Sequence, residues 1–347
     1  MTQMTAAGLT AYLENARREL PTCDTLVIGH TAPDADTVIS SLFEAWRRTL
    51  AGDPATPVVQ AAAMPTECAW LCGEWGGMLP LAAEPAAAQR LSSPQVSLVL
   101  TDHHDEPGHM ERVRAIVDHH LPTAGETLPP VETEIAPVGA ATTLVARRCR
   151  EQGLIPDEAV ARLLLGAILM DTEGLSASKA KAEDREIAAW LIALSGEQPQ
   201  SLFAALRERL LAETDPDTLY WRDHRVFGRA LGFAVLKTRV GTPPDETRVR
   251  ALLEKERQQT GLTACLAKIV RYGDTAPVEE IYLISADTPT AGKLAETIAA
   301  ASGEAAMISP ADRVTVPIGG RFLSRKRLTP LLLPLLTENP DKPDKNS

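Results

Sequence analysis

No uninterrupted apolar run in this chain reaches the length of a membrane span. The longest candidate, Leu328 to Leu336, is broken by Pro330 and Pro334, whereas a spanning helix needs about 20 apolar residues. The start of the chain lacks a basic-then-apolar secretory pattern. Cysteine is sparse: Cys23, Cys68, Cys72, Cys149 and Cys265 are odd in number and scattered. Only Cys68 and Cys72 lie close together, and no second Cys or His pair follows at zinc-finger spacing. Reduced thiols in a cytoplasmic protein are therefore expected. Positive charge is also short, with 35 Lys and Arg against 46 Asp and Glu, a formal net charge of -11. That balance argues against a general nucleic-acid binder, which needs a basic footprint. No nucleic-acid or membrane partner is expected. A Walker-type Gly-Lys-Ser/Thr phosphate loop is missing, and Gly319-Gly320 reads as a tight turn. No internal repeat is present.

At 347 residues, with 44% hydrophobic residues, the chain suits two domains. Residues 1 to 20 carry Leu9, Tyr12, Leu13, Ala16 and Leu20 at helical spacing, stopped by Pro21. Apolar strand-like runs then alternate with helical stretches, which implies a mostly parallel sheet covered on both faces. Strands are expected at 25–28, 57–60, 96–100 and 115–117, with an edge strand at 131–135. Helices are expected at 38–50, 140–152, 157–170 and 182–194. Composition shifts near Ser195-Gly196-Glu197-Gln198-Pro199. A second α/β pattern follows, with strands at 230–237, 263–270, 280–285 and 313–318 and helices at 245–259 and 291–302. The expected division is a first domain over 1–195, a linker region over 196–215, a second domain over 216–338 and a disordered tail over 339–347.

Four times an apolar element delivers Asp or His at its C-terminal end. Thr25 to Ile28 leads into His30, Asp34 and Asp36; Val96 to Leu100 into Asp102, His103 and His104; Ala115 to Val117 into Asp118, His119 and His120; Leu163 to Met170 into Asp171. Six of the seven histidines lie in or beside three of these stretches, leaving His224 elsewhere. In open parallel sheets that edge is where ligands bind. Crowded carboxylates are costly to bury unless a cation neutralises them. For Asp34 and Asp36 a second reading stands beside the metal: both precede a helix, whose dipole favours carboxylates. Mixed carboxylate and imidazole ligands suit Mn, Fe, Co or Zn.

The set resembles the DHH phosphoesterase superfamily, on the Asp118-His119-His120 triplet, the three companion motifs and Pro137-Val138-Gly139 before a helix. Ser324-Arg325-Lys326 resembles the DHHA2 subgroup, which holds the manganese-dependent (family II) inorganic pyrophosphatases and related exopolyphosphatases. The resemblance implies an α/β protein with an N-terminal parallel-sheet DHH domain and a smaller C-terminal α/β DHHA2 domain with a mixed sheet. It implies two divalent ions, Mn first and Co or Mg as alternatives, with a further Mg arriving on the substrate. His30 and Asp34 would hold one ion, Asp36, His119 and Asp171 the other, and Asp102 both. Two ions so bridged lie about 3.5–4 Å apart and activate one water between them. Asp118 would orient a histidine rather than bind metal. His120 would face substrate, with Arg225, Arg325 and Lys326 as the cations that grip phosphate between the domains. Arg225 stands where the pyrophosphatases carry Lys. His103, His104 and His109 are assigned supporting roles.

The implied activity is hydrolysis of a small phosphoanhydride, pyrophosphate first, in a chain that could form a homodimer. An exopolyphosphatase is the near alternative, because Glu173-Gly174-Leu175 and the stretch 179–184 resemble that branch. A superfamily nuclease would bring a glycine-rich, His-containing C-terminal motif, which is absent. A non-catalytic phosphate or nucleotide sensor would not need a complete ligand set.

Overall fold

The strand Thr25–Ile28 is buried along its whole length, as expected of an apolar run sandwiched between two helical layers. In the computed structural model, which describes residues 2–122, 127–274, 276–303 and 305–337, it joins a five-stranded sheet. The spatial order is Thr56–Val58, Thr25–Ile28, Ser97–Thr101, Val113–Asp118 and Glu132–Ile135, and every pairing is parallel. Side chains alternate along each strand, so the sheet feeds two cores. Val27, Val99, Ala115 and Val117 pack into one; Leu26, Ile28, Leu98, Leu100 and Ile116 pack into the other. The first core is closed by residues of the helices Ala35–Leu50, Ala141–Glu151, Glu158–Asp171 and Ala182–Ser195.

Strand order reverses direction at Thr25–Ile28, whose neighbours lead the chain to opposite sides of the sheet. A crevice forms at the C-terminal ends of strands at such a switch point. His30 and Asp102 follow the two strands that flank it.

The chain divides into two compact units, Met1–Leu210 and Leu211–Ser347. The division falls inside the stretch expected to link the domains. Its helix Pro199–Leu210 buries Leu202 and Leu206 in the first unit's core. The expected disordered tail lies outside the described residues.

The second unit holds a six-stranded sheet ordered Met307–Ile308, Arg313–Pro317, Pro277–Ser285, Ala264–Tyr272, Leu231–Arg239 and His224–Phe227. Only Ala264–Tyr272 and Leu231–Arg239 run parallel; the other pairings are antiparallel. This is the mixed sheet expected of the C-terminal domain.

Several elements escaped the sequence pattern. The short helix Pro216–Arg222 and the strand His224–Phe227 precede the second sheet's main strands. The helix Arg325–Thr337 runs straight through Pro330 and Pro334, despite a cost of about 3 kcal/mol for an interior proline. Leu328, Leu332 and Leu336, four residues apart, bury one stripe of it in the second unit's core, and that burial outweighs the prolines. At the other end, Thr2–Met4 is a strand pairing with Leu154–Pro156 rather than the first turn of the helix, which begins at Ala6. Among the described residues no helix is long and apolar enough to cross a membrane.

Candidate metal centre

The loops that follow the strands Thr25–Ile28, Ser97–Thr101 and Val113–Asp118 carry the candidate ligands, and their backbone decides where these point. Gly29 leaves Thr25–Ile28 with no room for a side chain: a Cβ there would sit 2.1 Å from Thr37 Cγ2. Asp34 caps the helix Ala35–Leu50, accepting from Thr37 N at 3.0 Å. The cap reading of Asp34 therefore holds. Asp36, expected to precede a helix over 38–50, lies inside the first turn of this helix, which starts three residues earlier, and does something different. Its two oxygens accept from Ala141 N at 2.6 Å and Thr142 N at 2.7 Å, the start of the next helix.

Asp102 departs from ordinary backbone, with φ at +61°, a region costly for residues with a Cβ but tolerated by Asp and Asn. Its amide donates to Val117 O at 3.0 Å, which fixes the turn. Its carboxylate then lies between two histidines: Oδ2 is 3.2 Å from His30 Nε2 and Oδ1 is 3.1 Å from His119 Nε2. Thr37 Oγ1 donates to Oδ2 at 2.6 Å and lies 2.7 Å from His30 Nε2. Oδ1 is buried, and the His119 imidazole stands against it.

His119 faces three carboxylates through Nε2: Asp102, Asp171 at 3.5 Å and Asp36 at 3.8 Å. Its Nδ1 donates to Val138 O at 3.2 Å, the pattern that leaves Nε2 to bind metal. Asp118 binds nothing beyond its neighbours. Its Oδ1 accepts from His119 N, His120 N and His120 Nδ1 at 2.7, 3.0 and 2.9 Å. Its Oδ2 faces His104 Nδ1 at 2.5 Å. His103 bridges Thr101 O at 2.9 Å and Glu106 at 3.0 Å.

Three groups of ligand atoms lie close enough to share an ion: His30, Asp34 and Asp102; Asp36, His119 and Asp171; and Asp102, Asp118, His119 and His120. The first two are the sets that the sequence motifs nominate, and Asp102 stands against both. In the third, Asp118 is already satisfied by four donors.

Electrostatics tell the same story. Burial pushes the Asp36 carboxyl well above the usual range, and the charges of Asp102 and Asp171 push it further. Burial also raises Asp171. Burial opposes ionisation of Asp102, yet hydrogen bonds from His119 and His30 hold its carboxyl well below the usual range. Burial would lower His119, but Asp102, Asp171 and Asp36 raise it well above an ordinary histidine. Without a cation, a single imidazolium serves three carboxylates. The donor set and this charge imbalance fit divalent ions of the Mn or Co type.

The phosphate-binding candidates lie in the second unit. Arg225 is exposed on the edge strand His224–Phe227. Arg325, at the start of the helix Arg325–Thr337, pairs with Asp223 Oδ1 at 2.6 Å and donates to Asp223 O at 3.0 Å and Phe233 O at 3.3 Å. Lys326 is exposed. Thr37, Gln60 and the Val138 carbonyl went unnoticed in the sequence. Thr37 follows the cap Asp34 by three residues, and Val138 lies in the Pro137-Val138-Gly139 motif; Gln60 carried no signal.

No family model matches the chain. A protein of Streptococcus suis, named as a manganese-dependent inorganic pyrophosphatase, is 31% identical over 211 residues, 58% of this chain and 66% of that one. One from Streptococcus equi subsp. equi, named likewise, is 31% identical over 176 residues, 49% of this chain and 55% of its own length. The chain thus spans between about half and two thirds of these curated relatives. A Methanococcus jannaschii structure, described as a family II inorganic pyrophosphatase, superposes with a TM-score of 0.70 at 18% identity, over 90% of this chain and 99% of that one. The fold is shared.

Proposed function

We propose that this chain, a DHH-superfamily relative of the manganese-dependent inorganic pyrophosphatases with the family II fold, is a metal-dependent hydrolase that splits pyrophosphate into two phosphates. The observation that carries the reading is Asp102, whose carboxylate stands against both ligand groups, Oδ2 towards His30 and Oδ1 towards His119.

Two Mn ions would be held by His30, Asp34 and Asp102, and by Asp36, His119, Asp171 and Asp102. When bound, such a pair withdraws charge from a phosphoryl group and lowers the pKa of water between the ions. The chain's own groups do the rest. Val138 O fixes the His119 tautomer so that Nε2 faces the carboxylates. Asp118 accepts from His120 Nδ1 and fixes the ring, so that His120 as an imidazolium would donate from Nε2 to a phosphate oxygen. Arg225, Arg325 and Lys326 supply the positive charge that a multiply ionised phosphoanhydride requires. In this reading the first unit is the metal domain and the second the phosphate domain. The setting is cytoplasmic, in keeping with five free cysteines.

Phosphate release from pyrophosphate, tripolyphosphate and long polyphosphate, each with Mn and with Mg, tests the proposal. Pyrophosphate should turn over fastest, with Mn, and a chelator should abolish the activity. Faster release from long polyphosphate at equal chain-end concentration would make the protein an exopolyphosphatase. No release from any of them would overturn the hydrolase reading.

A further inference from the structure

The loop that carries His30 and the loop that carries Asp102 leave neighbouring strands, and a residue from a third strand ties them together. Gln60 follows Thr56–Val58, the strand on the far side of Thr25–Ile28. Its side-chain nitrogen donates to Gly29 O at 2.8 Å and to Glu106 Oε2 at 3.2 Å. The same Glu106 oxygen lies 3.0 Å from His103 Nε2, and His103 Nδ1 donates back to Thr101 O at 2.9 Å. One amide thus holds the residue before His30 from the end of the neighbouring strand. Through Glu106 it also reaches the residues on either side of Asp102. A side chain on Gly29 would meet Thr37 Cγ2, so only glycine fits this turn.

We infer that Gln60 and Glu106 are positioning residues for the His30 half of the metal centre. They hold the Gly29-His30 turn and the Asp102 loop at the spacing that an ion shared by His30, Asp34 and Asp102 requires. The inference rests on the two-ion reading above. It adds an asymmetry to it: the tie touches the loops of His30 and Asp102, whereas Asp36, His119 and Asp171 are held by the start of the helix Ala141–Glu151, by Val138 O and by the helix end at Asp171. Gln60 is neither a metal ligand nor placed against substrate. Its contribution is geometric, and removing it should appear in one binding step.

The test is Mn(II) titration of the full metal-free chain, following free Mn by electron paramagnetic resonance and heat by calorimetry. The parent should take two ions, and His30→Ala identifies the step that belongs to the His30 group. Loss of a partner behind a ligand typically weakens metal binding about 10- to 100-fold. Gln60→Leu and Glu106→Ala should each weaken the His30 step by that factor and leave the other step within about threefold of the parent. The double variant should do little more than the larger single change, because both remove one tie. Parent-like values for both steps in Gln60→Leu would overturn the inference while leaving the two-ion reading intact. Equal weakening of both steps would also overturn it, since that reports general loosening of the fold. A parent that binds fewer than two ions would remove the reading and the inference together.

Discussion

Asp102→Asn is the sharpest perturbation available, because it removes one charge and almost nothing else. Asparagine tolerates the left-handed backbone that Asp102 occupies at φ +61°, so the turn should survive where alanine would strain it. The side chain stays isosteric, and Thr37 Oγ1 can still donate to its oxygen. What disappears is the negative charge facing both ligand groups. Removing one partner of a buried charged pair costs about 3–5 kcal/mol. Taking about 3 kcal/mol, because one oxygen ligand remains, each ion should bind about a hundredfold more weakly. At a free Mn concentration one hundred times the parent dissociation constant, an ion stabilises the parent by about 2.7 kcal/mol. The variant would gain only about 0.4 kcal/mol at the same concentration. For a unit of this size, 1 kcal/mol moves the melting temperature by about 2–4 °C. Mn should therefore raise the parent's Tm by roughly 5–10 °C per ion and the variant's by about 1 °C. Phosphate release should fall by orders of magnitude. A variant with a parent-like Mn-induced Tm shift and near-parent turnover would refute the assignment of Asp102 to both ions.

Three further outcomes follow from the same geometry. Arg325→Ala should lower kcat/KM for pyrophosphate by about 10- to 100-fold, from a lost charge-assisted contact of about 1.5–3 kcal/mol. It should also reduce stability, because Arg325 ties Asp223 and Phe233 O. Exposed Arg225 and Lys326, changed to alanine, should lower kcat/KM without moving Tm, and parent kinetics in all three variants would mark them as mere surface. Glu44 is fully buried and faces Arg47 at 2.6 Å, Arg48 at 2.7 Å and Arg148 at 3.2 Å. Glu44→Gln should cost about 3–5 kcal/mol in urea unfolding, and a change under 1 kcal/mol, on the order of a surface pair, would show the cluster to be ornamental. Glu254 is drawn down to about 2 by Arg257 and then Ser285. A carboxyl depressed on folding contributes stability above its usual pKa of 4.5, lost as pH falls towards 2. The Tm gap between parent and Glu254→Gln should hold from neutral pH down to about 5 and narrow below it; an unchanged gap at about pH 3 would contradict this.

The metal-bearing half of the fold was legible because its signal is local. Each strand is an apolar run of four to six residues, and the ligands follow it directly, so periodicity and chemistry coincide in one window. The helix expected over 38–50 was visible from its apolar spacing, but it starts three residues earlier, at Ala35, with Asp34 as its cap. What stayed hidden depended on partners distant in sequence. The helix through Pro330 and Pro334 is stabilised by a leucine stripe whose burial no window can reveal. The strand His224–Phe227 has mixed chemistry and exists because Leu231–Arg239 offers it an edge. Thr2–Met4 needs Leu154–Pro156, about 150 residues away. In the candidate site the same division holds. Ligand-type residues announce themselves by type, but Gln60 has no distinguishing chemistry, and its bond to Gly29 O arises only when three strands are laid side by side. His103 and His104 looked alike in sequence; one bonds back to its own loop and Glu106, the other to Asp118.

Asp36 carries a consequence for how this protein can change over evolutionary time. Its carboxylate is the only acceptor shape that can take two adjacent helix amides and still offer an oxygen edge to an ion. Histidine and cysteine bind metals well, but neither can accept two amide protons while coordinating. Substitution at this position therefore trades a metal preference for an unravelled helix start, and selection would see both at once. Asp34 gives only one oxygen to a single amide and lies partly open, so its half of the centre has latitude to be retuned. Drift towards a new metal should accordingly enter by the His30 and Asp34 side, with the Asp36 side inherited unchanged.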